Sequence, residues 1–116
     1  MAQRFVFLTA LALFVLTSGL RAQSAVAGKW RGQTPNGFSL EMNLTVTEQV
    51  LTGTLIREGE PSTITEGRVS ANTFTFTVTL NSDEVEKVSG EVDGDQMKAW
   101  LDRQGPSMAA VLKRVK

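Results

Sequence analysis

The chain has 116 residues, 12 basic and 12 acidic side chains, and no histidine, cysteine or tyrosine. Without histidine or cysteine it has no Ser-His-Asp or Cys-His nucleophilic arrangement, and it lacks the usual ligands of zinc and copper. A formal charge of zero with no basic block excludes the electrostatic footprint of a nucleic-acid binder.

The first 30 residues read MAQRFVFLTALALFVLTSGLRAQSAVAGKW. Arg4 supplies a positive start, residues 5–16 form an apolar run broken only by Thr9, and a small, polar segment follows with cleavage candidates after Ala22, Ser24 or Ala25. That order is the design of a secretory leader. A membrane span needs ~20 apolar residues, and this run is shorter. The expectation is a leader helix over 1–22, removed on export, and one small domain over 23–116, periplasmic or secreted, with no stable membrane span after cleavage. Removing 22 residues leaves 94 and takes away Arg4 and Arg21, so the formal charge becomes −2. With no cysteine, that domain has no lipid anchor and no disulfide, and its core alone must hold it.

Downstream of the leader the apolar residues alternate. In FSLEMNLTV, Phe38, Leu40, Met42, Leu44 and Val46 share one face, with Ser39, Glu41, Asn43 and Thr45 on the other. In TFTFTVTL, Phe74, Phe76, Val78 and Leu80 oppose Thr73, Thr75, Thr77 and Thr79. Period two is the mark of strands with one dry and one wet face, and the abundance of Thr and Val suits a pleated surface. Turn-forming clusters at TPNG, TEQ, REGEP, VSANT, NSDE, VDGDQ and RQGP divide the chain into eight runs. The strands are expected at about 26–33, 38–47, 50–57, 62–69, 73–80, 84–92, 96–103 and 107–115, with no helix after the leader. A weak repeat at an offset of 23 residues links EGRVSANTFTFTV to SGEVDGDQMKAWL, as one hairpin chemistry used twice.

Seven short connections make antiparallel neighbours of consecutive strands. The predicted fold is all-β: an eight-stranded antiparallel up-and-down meander closing into a small barrel, with a two-layer β-sandwich as the alternative. An eight-stranded barrel has an interior that side chains just fill, or that holds one small ligand.

On that frame, Gly28–Lys29–Trp30 on the first strand resembles the start of the calycins, the lipocalin and avidin-like barrels, and LTGTL at 51–55 is similar to the third strand of avidin-type proteins. The resemblance implies that Gly28 and Trp30 close one end of the barrel, with a basic residue from the last strand, Lys113 or Arg114, packed over the indole. The chain departs from the family in its short length, in lacking the lipocalin helix after the barrel, and in its sparse aromatic set.

No catalytic group is expected. The turn carboxylates Glu58, Glu60, Asp93 and Asp95 suit backbone capping better than acid–base work. The DGD at 93–95 lacks the distant bidentate glutamate of a calcium loop, and no Gly-rich phosphate loop occurs, so neither metal nor cofactor is expected. Trp30, Phe38, Phe74, Phe76 and Trp100 are the candidate ligand-binding residues. Alternation points Trp100 away from Met97, Ala99 and Leu101, either outward as a contact surface or inward through a bulge. The expected role is therefore non-catalytic: a binding or interaction protein whose short barrel is mostly filled, with Trp30 as a plug. The alternative is a carrier of a small hydrophobic ligand in the barrel mouth. Its partners are accordingly a small hydrophobic ligand or an exported protein.

Overall fold

The computed structural model describes residues 25–80 and 84–116; the leader expected over 1–22 lies outside them. Nine strands follow in order: β1 (Gly28–Gln33), β2 (Ser39–Thr47), β3 (Val50–Arg57), β4 (Glu60–Thr63), β5 (Thr65–Ser70), β6 (Thr73–Leu80), β7 (Glu84–Asp93), β8 (Gln96–Leu101) and β9 (Ala110–Arg114). Every pairing is antiparallel. The ladder runs β1–β2–β3–β5–β6–β7–β8–β9 and returns from β9 to β1, so eight strands close a barrel and β4 lies outside the ring, paired among the described residues only with β3. Closure removes the sandwich alternative.

The period-two faces point as the sequence dictates. Leu40, Met42 and Leu44 of β2 meet Phe74, Phe76 and Val78 of β6 in one buried interior, with Val88, Val92, Met97 and Leu112. The Phe74 and Phe76 rings lie nearly parallel, with centroids 5.9 Å apart. Threonines face outward and pair across strands, as Thr45 with Thr52 and Thr54 with Thr63, where a branched polar side chain fits the pleat.

Two departures from the expected strands have local causes. The run at 62–69 is not one strand. Ile64 and Gly67 are both buried although three residues apart, which breaks period two, and Glu66 takes φ 51° as a bulge absorbs the extra residue. The ladder between β5 and β6 therefore stops at Thr65–Thr77, and among the described residues β4 and Val78–Leu80 share no pair. At the other end of the chain, β9 begins at Ala110, not near 107. Pro106–Met108 instead form one 3₁₀ turn, the only helical turn among the described residues. Proline presets the φ of such a turn and cannot donate to a ladder.

The weak repeat has a packing reason. Gly67 and Gly90 occupy equivalent inward positions, two residues before Val69 and Val92. A Cβ on Gly67 would meet the Leu51 carbonyl oxygen, and one on Gly90 would meet the Phe74 ring. Gly67 admits a close approach of the β3 backbone, and Gly90 leaves room for the Phe74 ring on β6. Gly90→Ala should thus destabilise the barrel by about 1–3 kcal/mol, the usual range for overpacking. Urea unfolding checks this; a midpoint equal to that of the unaltered protein would refute the packing role.

Candidate functional site

The meander gives the barrel two unlike ends. One end, here the base, holds the start of β1 and the hairpin turns after β2, β5 and β7. The other, the mouth, holds the β1–β2 loop, the β3–β4 turn and the long connection from β8 to β9.

At the base, Trp30 is fully buried. Its Nε1 donates to the Val26 carbonyl at 3.0 Å, so the segment before β1 folds under the barrel and its polar atom is satisfied. Arg114, the register partner of Trp30 across β1 and β9, lays its guanidinium 4.3 Å from the indole centroid. The same guanidinium donates to the Ala27 carbonyl at 2.8 Å and the Ala25 carbonyl at 2.9 Å, and to the Asp95 carboxylate at 3.1 Å. Of the two basic candidates it is Arg114 that lies over Trp30; Lys113, one residue away, points outward beside Arg31 and Gln96. Gly28 belongs to the same cluster, with φ 130° and Arg114 Nη1 3.0 Å from where a Cβ would stand. Trp30 is a plug.

At the mouth a cavity of about 280 Å³ opens between the strands. Its wall is mainly apolar: Leu40, Met42, Leu55, Val78, Leu80, Val88, Ala99 and Leu101, with Phe38 and Met108 at the rim. It flanks the unpaired stretch between β4 and β6, where Leu55 and Arg57 stand on one side and Val78 and Leu80 on the other. This space is larger than the one-water interstices of a filled interior, whose share of volume is roughly 30 Å³ per water. It sits at the lower edge of the roughly 300–1,000 Å³ typical of small-molecule sites. The interior is thus filled at the base and open above.

Two loops shape the rim. TPNG folds as expected into a tight turn: the Thr34 hydroxyl accepts from the Phe38 amide at 3.1 Å, the Thr34 carbonyl accepts from the Gly37 amide at 2.9 Å, and Gly37 takes φ 91°. This fixes Phe38 above the cavity, 44 % exposed, beside the Arg57 guanidinium at 5.4 Å from its ring centroid. The β8–β9 connection is pinned by Glu86, a buried carboxylate that takes hydrogen bonds from Arg103 at 3.0, 3.1 and 3.2 Å. The Ser89 hydroxyl adds a bond to Asp102 at 2.8 Å.

Among the sequence candidates, Phe38 and Trp100 border the cavity, whereas Phe74 and Phe76 belong to the packed core and Trp30 lies at the far end. Phe38 does not join the buried face of β2, because that strand starts one residue later. Trp100 is half-buried and pairs with Ser89 in a register that runs unbroken from Val88–Leu101 to Asp93–Gln96, so no bulge turns it inward. The charged residues Arg57, Glu86 and Arg103 were missed by sequence reasoning. For two of them the signal was present: Leu51 and Leu55 extend by period two to Arg57, and Val92, Gly90 and Val88 extend to Glu86. Comparison of the chain with protein-family models, with curated proteins and with solved structures finds no match.

The base carries its own predictions. Trp30→Phe keeps most of the ring but orphans the Val26 carbonyl, which should cost about 1–3 kcal/mol in chemical denaturation. Asp95 is held below the usual aspartate range by the Lys116 hydrogen bond first and the Arg114 hydrogen bond second. A depressed carboxylate stabilises the fold above its unfolded pKa, and that contribution disappears as pH falls through the folded value. Asp95→Asn should therefore be less stable than the unaltered protein at neutral pH and indistinguishable from it once the aspartate is protonated. Thermal melts across the acid range test this; an equal gap at all pH values would refute it.

Proposed function

We propose that the protein is an exported, calycin-like barrel that binds one small apolar-bodied ligand in its mouth, without catalysing a reaction on it. What supports this reading is the cavity: mainly apolar, open at one end, and walled by side chains from six strands of the closed barrel. A protein that used only its outer surface would gain from filling that space, since closely packed interiors are the rule. The Gly28, Trp30 and Arg114 cluster at the opposite end supports kinship with the calycins, in which a basic residue covers the first-strand tryptophan. The leader-like residues at the start of the chain support export.

Trp100 borders the cavity while Trp30 is sealed at the base, so one tryptophan reports on ligand and the other on fold. A neutral apolar dye titrated into the protein should brighten and quench Trp100 by energy transfer. Ala99→Leu, which adds bulk to the cavity wall, should weaken dye binding at least several-fold while far-ultraviolet dichroism stays unchanged. Trp100→Phe should retain dye brightening and lose most of the quenching. Failure of the dye to bind, or binding unaffected by Ala99→Leu, would overturn the reading.

A further inference from the structure

We propose that the ligand is a single-chain amphiphile with a carboxylate head, the head held by the Arg57 guanidinium and the chain lying among Leu40, Leu55, Val78 and Leu80. This rests on the mouth being a ligand site and adds the chemical class that the site selects.

Charges at the mouth fall into two groups. Among the described residues, those on the cavity wall are both positive, Arg57 and Arg103. Arg103 is already occupied by both oxygens of the buried Glu86 carboxylate. Arg57 is half-buried against the Phe38 ring and, among the described residues, has no carboxylate within ion-pair distance. The described acids nearby are engaged elsewhere or stand off the cavity. Glu58 takes the Ser39 amide at 2.6 Å, which draws the acid next in sequence away from Arg57. Asp102 takes the Ser89 hydroxyl, and Glu60 and Glu84 are exposed and absent from the cavity wall.

A guanidinium in that position has lost part of its water without gaining an anion. A carboxylate restores the loss with two parallel hydrogen bonds in the fork geometry that arginine presents. The head is singly charged, because a phosphate dianion would carry its second charge toward Glu58, Glu60 and Glu84, and among the described residues no second unoccupied guanidinium lines the cavity to meet it. The chain is unbranched and modest in length, because the space beneath is about 280 Å³ and runs between strands. Phe38 then serves as a cover at the rim, its face against Arg57.

Calorimetric titration of the purified protein with octanoate, 1-octanol and octyl phosphate tests the class. Octanoate should bind roughly tenfold to a hundredfold more tightly than octanol, the worth of one charge-assisted hydrogen-bonded pair. Arg57→Gln should bring octanoate to the level of octanol and leave octanol itself unchanged, while Arg57→Lys should recover only part of the preference. Each methylene added from hexanoate to octanoate should tighten binding roughly fourfold if the chain is buried. Octanol binding as tightly as octanoate, octyl phosphate binding more tightly, or a preference that survives Arg57→Gln would overturn the head-group assignment while leaving the mouth as a ligand site. Failure of all three amphiphiles to bind would overturn the ligand site itself.

Discussion

The guanidinium of Arg114 ties together parts of the chain that are far apart in sequence. Stacked on Trp30, bonded to the carbonyls of Ala25 and Ala27 and paired with Asp95, it joins the segment before β1, the turn between β7 and β8, and the last strand. In a chain with no disulfide, the β1–β9 pairing is what turns a sheet with two sticky edges into a ring with none. Trp30 and Arg114 are register partners in that pairing, so the stacking also fixes which residue of β9 faces which residue of β1. A slip of one position would turn Leu112 out and Lys113 in.

Sealing one end has consequences for the other. With Trp30 and Val26 filling the base, any free volume must lie toward the mouth, and the bulge at Glu66 adds to it by leaving the upper wall between β4 and β6 unladdered. The loops divide in the same way. Base turns are short hairpins, one of them with both Glu48 and Gln49 at positive φ as a type I′ turn requires, even without its usual Asn-Gly. The connections at 34–38 and 102–109 lie at the mouth and carry Phe38, Arg103 and Met108. A rigid, closed scaffold that gathers its longer loops around one opening is a common way to separate stability from recognition.

The polar groups at the mouth follow the logic of burial. Glu86 sits where alternation places an apolar side chain, and a buried carboxylate is tolerated only when paired and hydrogen-bonded. Arg103 meets that need with three bonds and in doing so draws the β8–β9 connection over the rim. Arg57 continues the inward face of β3 in the same way but finds an aromatic ring in place of a carboxylate. The two arginines therefore differ in chemistry despite sharing one cavity: one is a structural tie, the other a cation with capacity left over.

Alternation is a local property, and the sequence by itself therefore determined the strands, their wet and dry faces, most turns and the all-β class. The resemblance of its first strand to the calycins narrowed the cover of Trp30 to Lys113 or Arg114, and the sequence already held Arg57 and Glu86 at inward positions of their strands. Tertiary structure alone decided the rest. Which basic residue stacks on Trp30 depends on the β1–β9 register, and the split of the 62–69 run depends on a bulge that spaces Ile64 from Gly67. Whether the interior is full or open depends on how eight inward faces sum around a closed ring. Closure, register and volume are properties of the whole circumference, and no single strand encodes them.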